Sequence, residues 1–302
     1  MPEGMPADPV PAAPLILYEG PDYAVLSKPP GMFSAPLKGH SGGETLLDWY
    51  ALRFPPVLGV RGRQSWEGGI LHRLDRETAG LILFAKNQET MDALTAQQEE
   101  GLFTKEYEAL TASEKKPAGL PGFPPPPAIR IPAEMPPAIS AAARTAAGLQ
   151  EPRCIESAFR PYGKGSRAVR PVLWPLPPPP GNPPAGSPRR RTPALDRGRP
   201  YCTEIEGPAA ASPVSGSSAP GGYYRFHLRI RRGFRHQIRC HLAWIGYPIL
   251  NDRLYGGGNL DAYPFVALWA RGIAFFDPRS GERREYSLPP VTLVKDRNLG
   301  VP

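Results

Sequence analysis

Proline sets the first limit on what this chain can become. It holds 42 prolines in 302 residues, crowded between about Ser113 and Pro200, with runs at Pro124–Pro127 and Pro177–Pro180. A proline gives no amide hydrogen to a sheet ladder, and its ring clashes with the preceding turn of a helix. This stretch, rich also in Gly, Ala and Ser, is expected to be a mobile, partly extended insertion at about 113–200. The added length costs only slowly growing loop entropy in a surface connection. The remainder, 15–302, is expected to form one domain around that interruption, with 1–14 as a flexible tail.

Either side of the insertion the patterning is regular. Leu15 to Leu26 holds two short apolar stretches around Glu19-Gly20-Pro21-Asp22, which predicts a hairpin. Leu46, Leu47, Tyr50 and Leu52 recur at helical spacing until Pro55-Pro56 stops them. Leu81 to Phe84 reads as a buried strand. Asn87 is placed to cap a helix that runs to about Glu100, with Gly101 as its stop. Phe103 to Leu110 is strand-like. Tyr224, Phe226, Leu228 and Ile230 alternate with Arg225, His227 and Arg229, which predicts a half-buried strand with a cationic outer face. A helix is expected over Gln237 to Ile245, with Ile238, Leu242 and Ile245 on one stripe and Arg239 off it, facing a cleft. Strand follows at Phe265 to Phe276 and Tyr286 to Leu288. Turns and short hairpins dominate, so the expected class is α+β with a mixed, largely antiparallel sheet, flanking helices and a central cleft.

Lys and Arg number 36 against 28 Asp and Glu, a formal charge of +8, which favours a polyanionic partner. Cys154 to Leu173, inside the insertion, interleaves aromatics with arginines. That pattern suits either contact with unpaired nucleic acid or an ordered loop pinned by aromatic packing. Arg189-Arg190-Arg191 reads as a solvated basic run. Three cysteines, Cys154, Cys202 and Cys240, without C-x-x-C spacing predict reduced thiols in a cytoplasmic protein. No apolar run reaches the length of a membrane span, and the N-terminus does not read as a signal peptide.

One segment carries chemistry: Gly69-Ile70-Leu71-His72-Arg73-Leu74-Asp75-Arg76-Glu77-Thr78-Ala79-Gly80. It sets the carboxylate of Asp75 among cations just ahead of the apolar run. Burial neutralises such a group unless positive charge or hydrogen-bond donors keep it ionised. An ionised carboxylate held at the edge of a core is a candidate nucleophile or base.

Four segments together resemble the RluA-type pseudouridine synthases. They are Ser27-Lys28-Pro29-Pro30-Gly31-Met32, then His72-Arg73-Leu74-Asp75 with Thr78 and Gly80, then Lys105-Glu106-Tyr107. The fourth is His236-Gln237-Ile238-Arg239-Cys240-His241-Leu242 with Ile245-Gly246-Tyr247-Pro248-Ile249, Asp252 and Tyr255-Gly256. Ala79, Phe234, Arg235, Asn251 and Trp269 depart from the family pattern. The resemblance implies the pseudouridine synthase fold and the isomerisation of uridine in structured rRNA or tRNA. The bond from ribose C1′ to N1 breaks, the base turns, and it rejoins through C5. Nothing is oxidised and no group is lost, so no cofactor and no metal is expected. Asp75 is then the nucleophile, Arg239 its guanidinium partner, and Tyr107 the aromatic face against a flipped uracil, with a hydroxyl expected to help remove the C5 proton. Leu268 is the opposite wall. His72 and Arg73 are expected to fill the vacated stack or hold phosphate, with packing beneath the loop an equal reading for His72. Lys28 is expected to orient the loop. Arg225 and Arg229, with Arg231 and Arg232, are expected to contact the RNA backbone. A separate N-terminal RNA-binding module of the kind some members of that family carry is not expected, since the catalytic pattern starts close to the first residue, and a monomer is the default.

Three alternatives fit the residues less well. A non-catalytic RNA-binding protein on the same fold has no reason to keep Asp75, Tyr107 and Arg239 together. A glycosidase needs two opposed carboxylates; Glu77 stands near Asp75, but nearness in a loop does not guarantee opposed geometry, and no general acid is identifiable. A metal site from His236, Cys240 and His241 lacks a full ligand set.

Overall fold

The computed structural model describes residues 10–36, 44–112, 120–127, 153–176, 199–211 and 223–291. Residues 1–9 of the expected tail, the run Pro177–Pro180 and Arg189–Arg191 lie outside the described residues. The chain opens with the hairpin β1 (Leu15–Glu19) and β2 (Tyr23–Lys28), as the turn cluster between them requires. Helix α1 (Leu46–Arg53) begins at Thr45, whose side chain accepts from the Asp48 amide while the Asp48 carboxylate accepts from the Thr45 amide. This reciprocal cap satisfies two end groups of the helix at once. Pro55 and Pro56 then turn the chain into a single 3-10 turn. Leu52, expected on the apolar stripe of α1, is 82% exposed, because three other positions already face the core.

Strand β3 (Ala79–Ala85) is buried along its whole length. Helix α2 (Gln88–Glu100) starts at Asn87, whose Oδ1 accepts from the Thr90 amide, and stops at Gly101 in the left-handed region at φ +78°. Strand β4 (Thr104–Ala112) follows. Next come β5 (Arg153–Tyr162), β6 (Ala168–Val172), β7 (Tyr201–Ala211), β8 (Tyr223–Ile230), helix α3 (Gln237–Trp244), β9 (Leu268–Phe276) and β10 (Arg283–Ser287). The strands form one ten-stranded sheet in the order β1-β2-β3-β9-β4-β8-β7-β5-β6, with β10 also on β9. Among the described strands only β3 and β9 run parallel; the other pairs are antiparallel. The class is therefore α+β with a mixed, largely antiparallel sheet, as the sequence predicts.

The insertion is not uniformly loose. Its Cys154 to Leu173 island forms β5 and β6, and β5 pairs with β7. The aromatic-packing reading of that island is the observed one. Phe159 is buried and stacks on Phe234 at a centroid distance of 4.9 Å, and Tyr201 packs beside both. Phe234, a departure from the family pattern, thus meets an aromatic of the insertion. Arg235, another departure, donates to the carbonyls of Ser166 and Ala168 between β5 and β6. Residues 120–127 are packed too. The Trp244 indole donates to the Pro124 carbonyl (2.8 Å), and Tyr162 Oη donates to that of Pro121 (2.7 Å). Aromatic burial and paired carbonyls outweigh proline composition here.

The cysteine expectation also needs correction. Cys154 on β5 and Cys202 on β7 are joined by a disulfide, and Cys240, buried in α3, is the free thiol. Pairing of β5 with β7 brings together two cysteines 48 residues apart in sequence.

The two faces of the sheet differ. One, the front, carries Tyr107, Leu228, Leu268 and Ala270 in the core that also holds Ile238 and Leu242 of α3. On β8, Arg225, His227 and Arg229 alternate away from Phe226, Leu228 and Ile230, so they project from the back.

Candidate active site

Four segments distant in sequence meet on the front face. The first is the loop before β3. Gly80 has φ +125°, and a methyl there would overlap the backbone of Ala270 on β9. Glycine lets β3 and β9 approach closely in parallel, Ala79 beside Trp269 and Gly80 beside Ala270. The loop carrying Asp75 is thereby set beside the start of β9. The Thr78 amide donates to the Asp75 carbonyl (3.1 Å) and closes the turn.

The second segment is α3. Its first residue, Gln237, is held by the carbonyl of Cys202 and the hydroxyl of Thr203 on β7. His241 sits between Ser157 Oγ (2.9 Å) and Thr203 Oγ1 (2.8 Å). Burial holds that imidazole down to about 3, so it stays neutral, one nitrogen donating and one accepting. With the helix fixed this way, Arg239 reaches the cleft. Its Nη1 donates to Asp75 Oδ2 at 2.8 Å. Its Nε and Nη2 form a fork on Asp252, at 2.7 and 2.9 Å. Burial alone would lower the guanidinium's pKa, but the hydrogen bonds and charges of Asp252 and then Asp75 outweigh it and raise it. Arg239 is a permanent cation there.

The carboxylates are not equivalent. Asp252 is fully buried, and its Oδ1 also accepts from the Leu254 amide (3.2 Å). The Asp75 side chain is 26% exposed and uses only Oδ2 on Arg239. Asp252 orients the guanidinium, and the guanidinium orients Asp75, whose other oxygen has no hydrogen-bond partner among the described residues. Tyr107 is buried in β4. Burial, with the charge of Asp75 added, raises its phenol well above the usual value, so the hydroxyl keeps its proton. Leu268 is buried on the same face at the start of β9.

The family model described as RNA pseudouridylate synthase matches residues 22–244. The chain belongs to the RNA pseudouridylate synthase family. Its members are isomerases, and the resemblance to the RluA type holds. The chain is 27% identical over 294 residues to a "Ribosomal large subunit pseudouridine synthase D" of Haemophilus ducreyi, covering 93% of this chain and 68% of that protein. It is 27% identical over 264 residues to an "Uncharacterized RNA pseudouridine synthase" of Chloroflexus aurantiacus, covering 87% and 61%. The chain thus spans about two thirds of the length of these relatives. Among solved structures, "Human RNA Pseudouridylate Synthase Domain Containing 1" superposes with a TM-score of 0.54 at 19% identity, covering 94% of this chain and 86% of that one. "Human RNA Pseudouridylate Synthase Domain Containing 4" gives 0.50 at 16%, covering 91% and 88%. At such identity the likeness is one of fold.

Within this family fold, several expected residues stand elsewhere than in the cleft. Lys28 is fully buried; its ammonium donates to the carbonyls of Pro29 (2.8 Å), Met32 (2.8 Å) and Arg76 (3.1 Å). Burial lowers it to about 7, with Asp75 opposing. It straps the Lys28–Met32 loop onto the residue after Asp75. The Gly31 amide adds a bond to the same Arg76 carbonyl (2.8 Å). His72 turns inward, its Nε2 beside the Leu81 carbonyl (3.2 Å) and its ring against Phe103. Burial, then the charge of Lys105, holds it down to about 3. In this structure the ring packs beneath the loop, against Phe103. Arg73 is about half exposed and pairs with Glu67 at 2.7 Å.

Arg225 and Arg229 are not brought to Asp75. They project from the back of the sheet and are ion-paired, Arg225 with buried Glu108 and Arg229 with Glu106 (2.9 Å) and Glu204 (3.9 Å). Arg231 pairs with Glu204, and Arg232 lies over the Tyr201 ring. The expected cationic stripe is largely neutralised by neighbouring strands, which strand alternation alone does not reveal.

Two site residues carried no assigned role in the sequence reading. Asp252 stands 13 residues after Arg239, and only the fold shows it beneath the guanidinium. His236 lies at the N-cap of α3 in the left-handed region, with Nε2 3.8 Å from Asp75 Oδ2 and Nδ1 3.3 Å from Tyr255 Oη. Burial lowers its pKa against the pull of Asp75. Asn251, in place of a common glycine, also has positive φ, +63°. Its amide donates to the carbonyls of Leu260, Tyr263 and Phe265, which offsets the backbone cost and fixes the loop after Asp252.

Proposed function

We propose that this chain isomerises uridine to pseudouridine in ribosomal RNA, with Asp75 as the nucleophile. The observation that carries the reading is the relay from Asp252 through Arg239 to a partly open Asp75. An oriented carboxylate with one free oxygen is what a transient covalent adduct requires. Tyr107 and Leu268 line the same face, and a base turned out of the RNA stack would rest between them. Extrusion costs a few kcal/mol, met by stacking and by contacts in the cleft. The protonated Tyr107 phenol is suited to hydrogen bonding and stacking on the base. Lys28 acts as a positioning residue for the Asp75 loop. The overall change is a rearrangement within one nucleotide, so the chemistry itself calls for no cofactor or metal at the reacting atoms. The ribosomal target is favoured over transfer RNA by the names of the similar bacterial proteins. The cytoplasm is where such an RNA would be met. No helix among the described residues is long and apolar enough to cross a membrane. A monomer is the simplest form for this activity.

The test is release of tritium from C5 of uridine in ribosomal RNA. Asp75→Asn and Asp75→Ala should abolish release while RNA binding persists. Release by both variants at the wild-type rate would remove Asp75 from the mechanism. Release from transfer RNA but not ribosomal RNA would overturn the target.

A further inference from the structure

The back of the sheet holds a cluster that the isomerisation does not use. Cys154 and Glu156 lie two residues apart on β5, so both project to one side. Cys202 stands directly opposite Glu156 on β7, and Glu204 directly opposite Cys154. Residues directly opposite in an antiparallel pair share a face, so all four occupy one patch. The intervening Ile155, Ser157, Thr203 and Ile205 are buried towards the front, where Ser157 and Thr203 hold His241 of α3. The ligand atoms of Cys154, Glu156 and Cys202 lie within 4.8 Å of one another. The Cys154 thiol position is 3.8 Å from Glu156 Oε1.

We propose that, when its thiols are reduced, this patch is a binding site for a thiophilic divalent cation, with zinc the best match. The disulfide is the oxidised form of the same pair. Two electrons and two protons from a dithiol reductant convert it to two thiols. Metal binding then displaces both thiol protons to solvent, and the two thiolates and the Glu156 carboxylate become ligands. Two sulfur donors select zinc over calcium or magnesium, which prefer oxygen. Glu204 completes the patch by position, but its Oε1 accepts from Arg231 (3.1 Å) and its Oε2 lies 3.9 Å from Arg229. It neutralises those arginines, and the fourth position goes to water, giving tetrahedral coordination. In a reducing compartment the thiols stay available for this use.

The site would clamp the β5–β6 hairpin to β7. From β7 the Cys202 carbonyl accepts from Gln237, the first residue of α3 and two before Arg239. The metal lies on the opposite face from Asp75 and takes no part at the reacting atoms. Activity is therefore not its readout.

The experiment uses the full, untagged chain, reduced with a phosphine and equilibrated with zinc, then freed of loose metal and assayed by mass spectrometry. Uptake of about one equivalent is expected, with cobalt giving a sulfur-to-metal charge-transfer band. Cys154→Ser and Cys202→Ser should each lose the zinc, and Glu156→Gln should weaken it at least about tenfold. If the serine variants fail to fold, alkylation of the native chain serves instead: zinc should protect Cys154 and Cys202 from the reagent. A fully reduced chain that takes up no zinc overturns the proposal. Unchanged uptake by both serine variants, or alkylation unaffected by zinc, does the same.

Discussion

Two buried guanidinium–carboxylate clusters lie on opposite faces of one sheet, and they are composed in opposite ratios. On the front, one arginine, Arg239, serves two carboxylates, Asp75 and Asp252. On the back, one carboxylate, Glu108, serves two arginines, Arg225 and Arg271. On the front, Arg239 and Asp252 are enclosed and Asp75 reaches towards solvent; on the back, Glu108 is enclosed and both arginines are partly exposed. The surplus on the front is an acid with a free oxygen, oriented by a cation that is itself held from behind. The surplus on the back is a pair of guanidiniums, whose pKa values burial lowers and, for Arg225, the proximity of Arg271 lowers further. Composition does not separate the two clusters, since both contain arginine beside acid. What separates them is which charge is left over, and where it points.

The sharpest way to break this contrast is to remove the central group of each cluster. Arg239→Ala should reduce turnover by about a thousandfold, on the scale of about 4 kcal/mol of transition-state stabilisation, with a smaller effect on RNA binding. It should also cost about 3–5 kcal/mol of stability, because Asp252 is left charged and unpaired in the core. Single-turnover kinetics and denaturant unfolding measure the two effects. Near-normal turnover would show that Asp75 needs no guanidinium.

Glu108→Gln is the matching change on the back. It should cost about 3 kcal/mol of stability by leaving two half-buried guanidiniums without their anion. Turnover of the folded protein should stay within about twofold of wild type, since the cluster does not touch the cleft. A large fall in turnover at a temperature where the variant is folded would mean that the faces are coupled.

Acid pH probes the packing beneath both clusters. His72 and His241 are each held down to about 3, against 6.5 when unperturbed. Between these values the unfolded chain binds protons that the native state refuses. Stability therefore falls as pH drops below 6.5, by up to about 1.4 kcal/mol per pH unit for each histidine. His72→Gln should flatten that acid limb in urea titrations, and an unchanged slope would mean that the native imidazole protonates freely. The smallest effect is expected at Arg229→Gln. Its pairs are partly exposed, so the cost should be under about 1 kcal/mol. The salt dependence of RNA binding should not change; a slope reduced by about one ion would return Arg229 to the RNA contact surface.

Much of this was legible along the chain. The β1–β2 turn cluster, the Asn87 cap, the Gly101 stop and the apolar run of β3 are local signals, and each specifies structure within a few residues. The motif around Asp75, with Tyr107 and Arg239, marked the groups that meet on the front. For the β8 arginines, alternation says that they share a face, not which face or what lies across from it. The neighbours Glu106, Glu108 and Glu204 come from β4 and β7. The Cys154 to Leu173 island stood apart from the proline runs by its aromatics, but that β5 and β6 are strands was not legible, since they rest on Phe159 against Phe234 and on pairing with β7, both remote in sequence.

The sequence by itself determined the element types outside the Pro-rich insertion, the largely antiparallel character of the sheet and the segment in which Asp75 stands among cations, because periodicity, caps and short motifs act over a few residues. Only the tertiary structure decided that Asp252 stands behind Arg239, that Lys28 is a buried strap, and that Cys154 meets Cys202. Those outcomes depend on strand order and on which face each side chain shares. Both are fixed when distant segments pack together and the buried charges find partners.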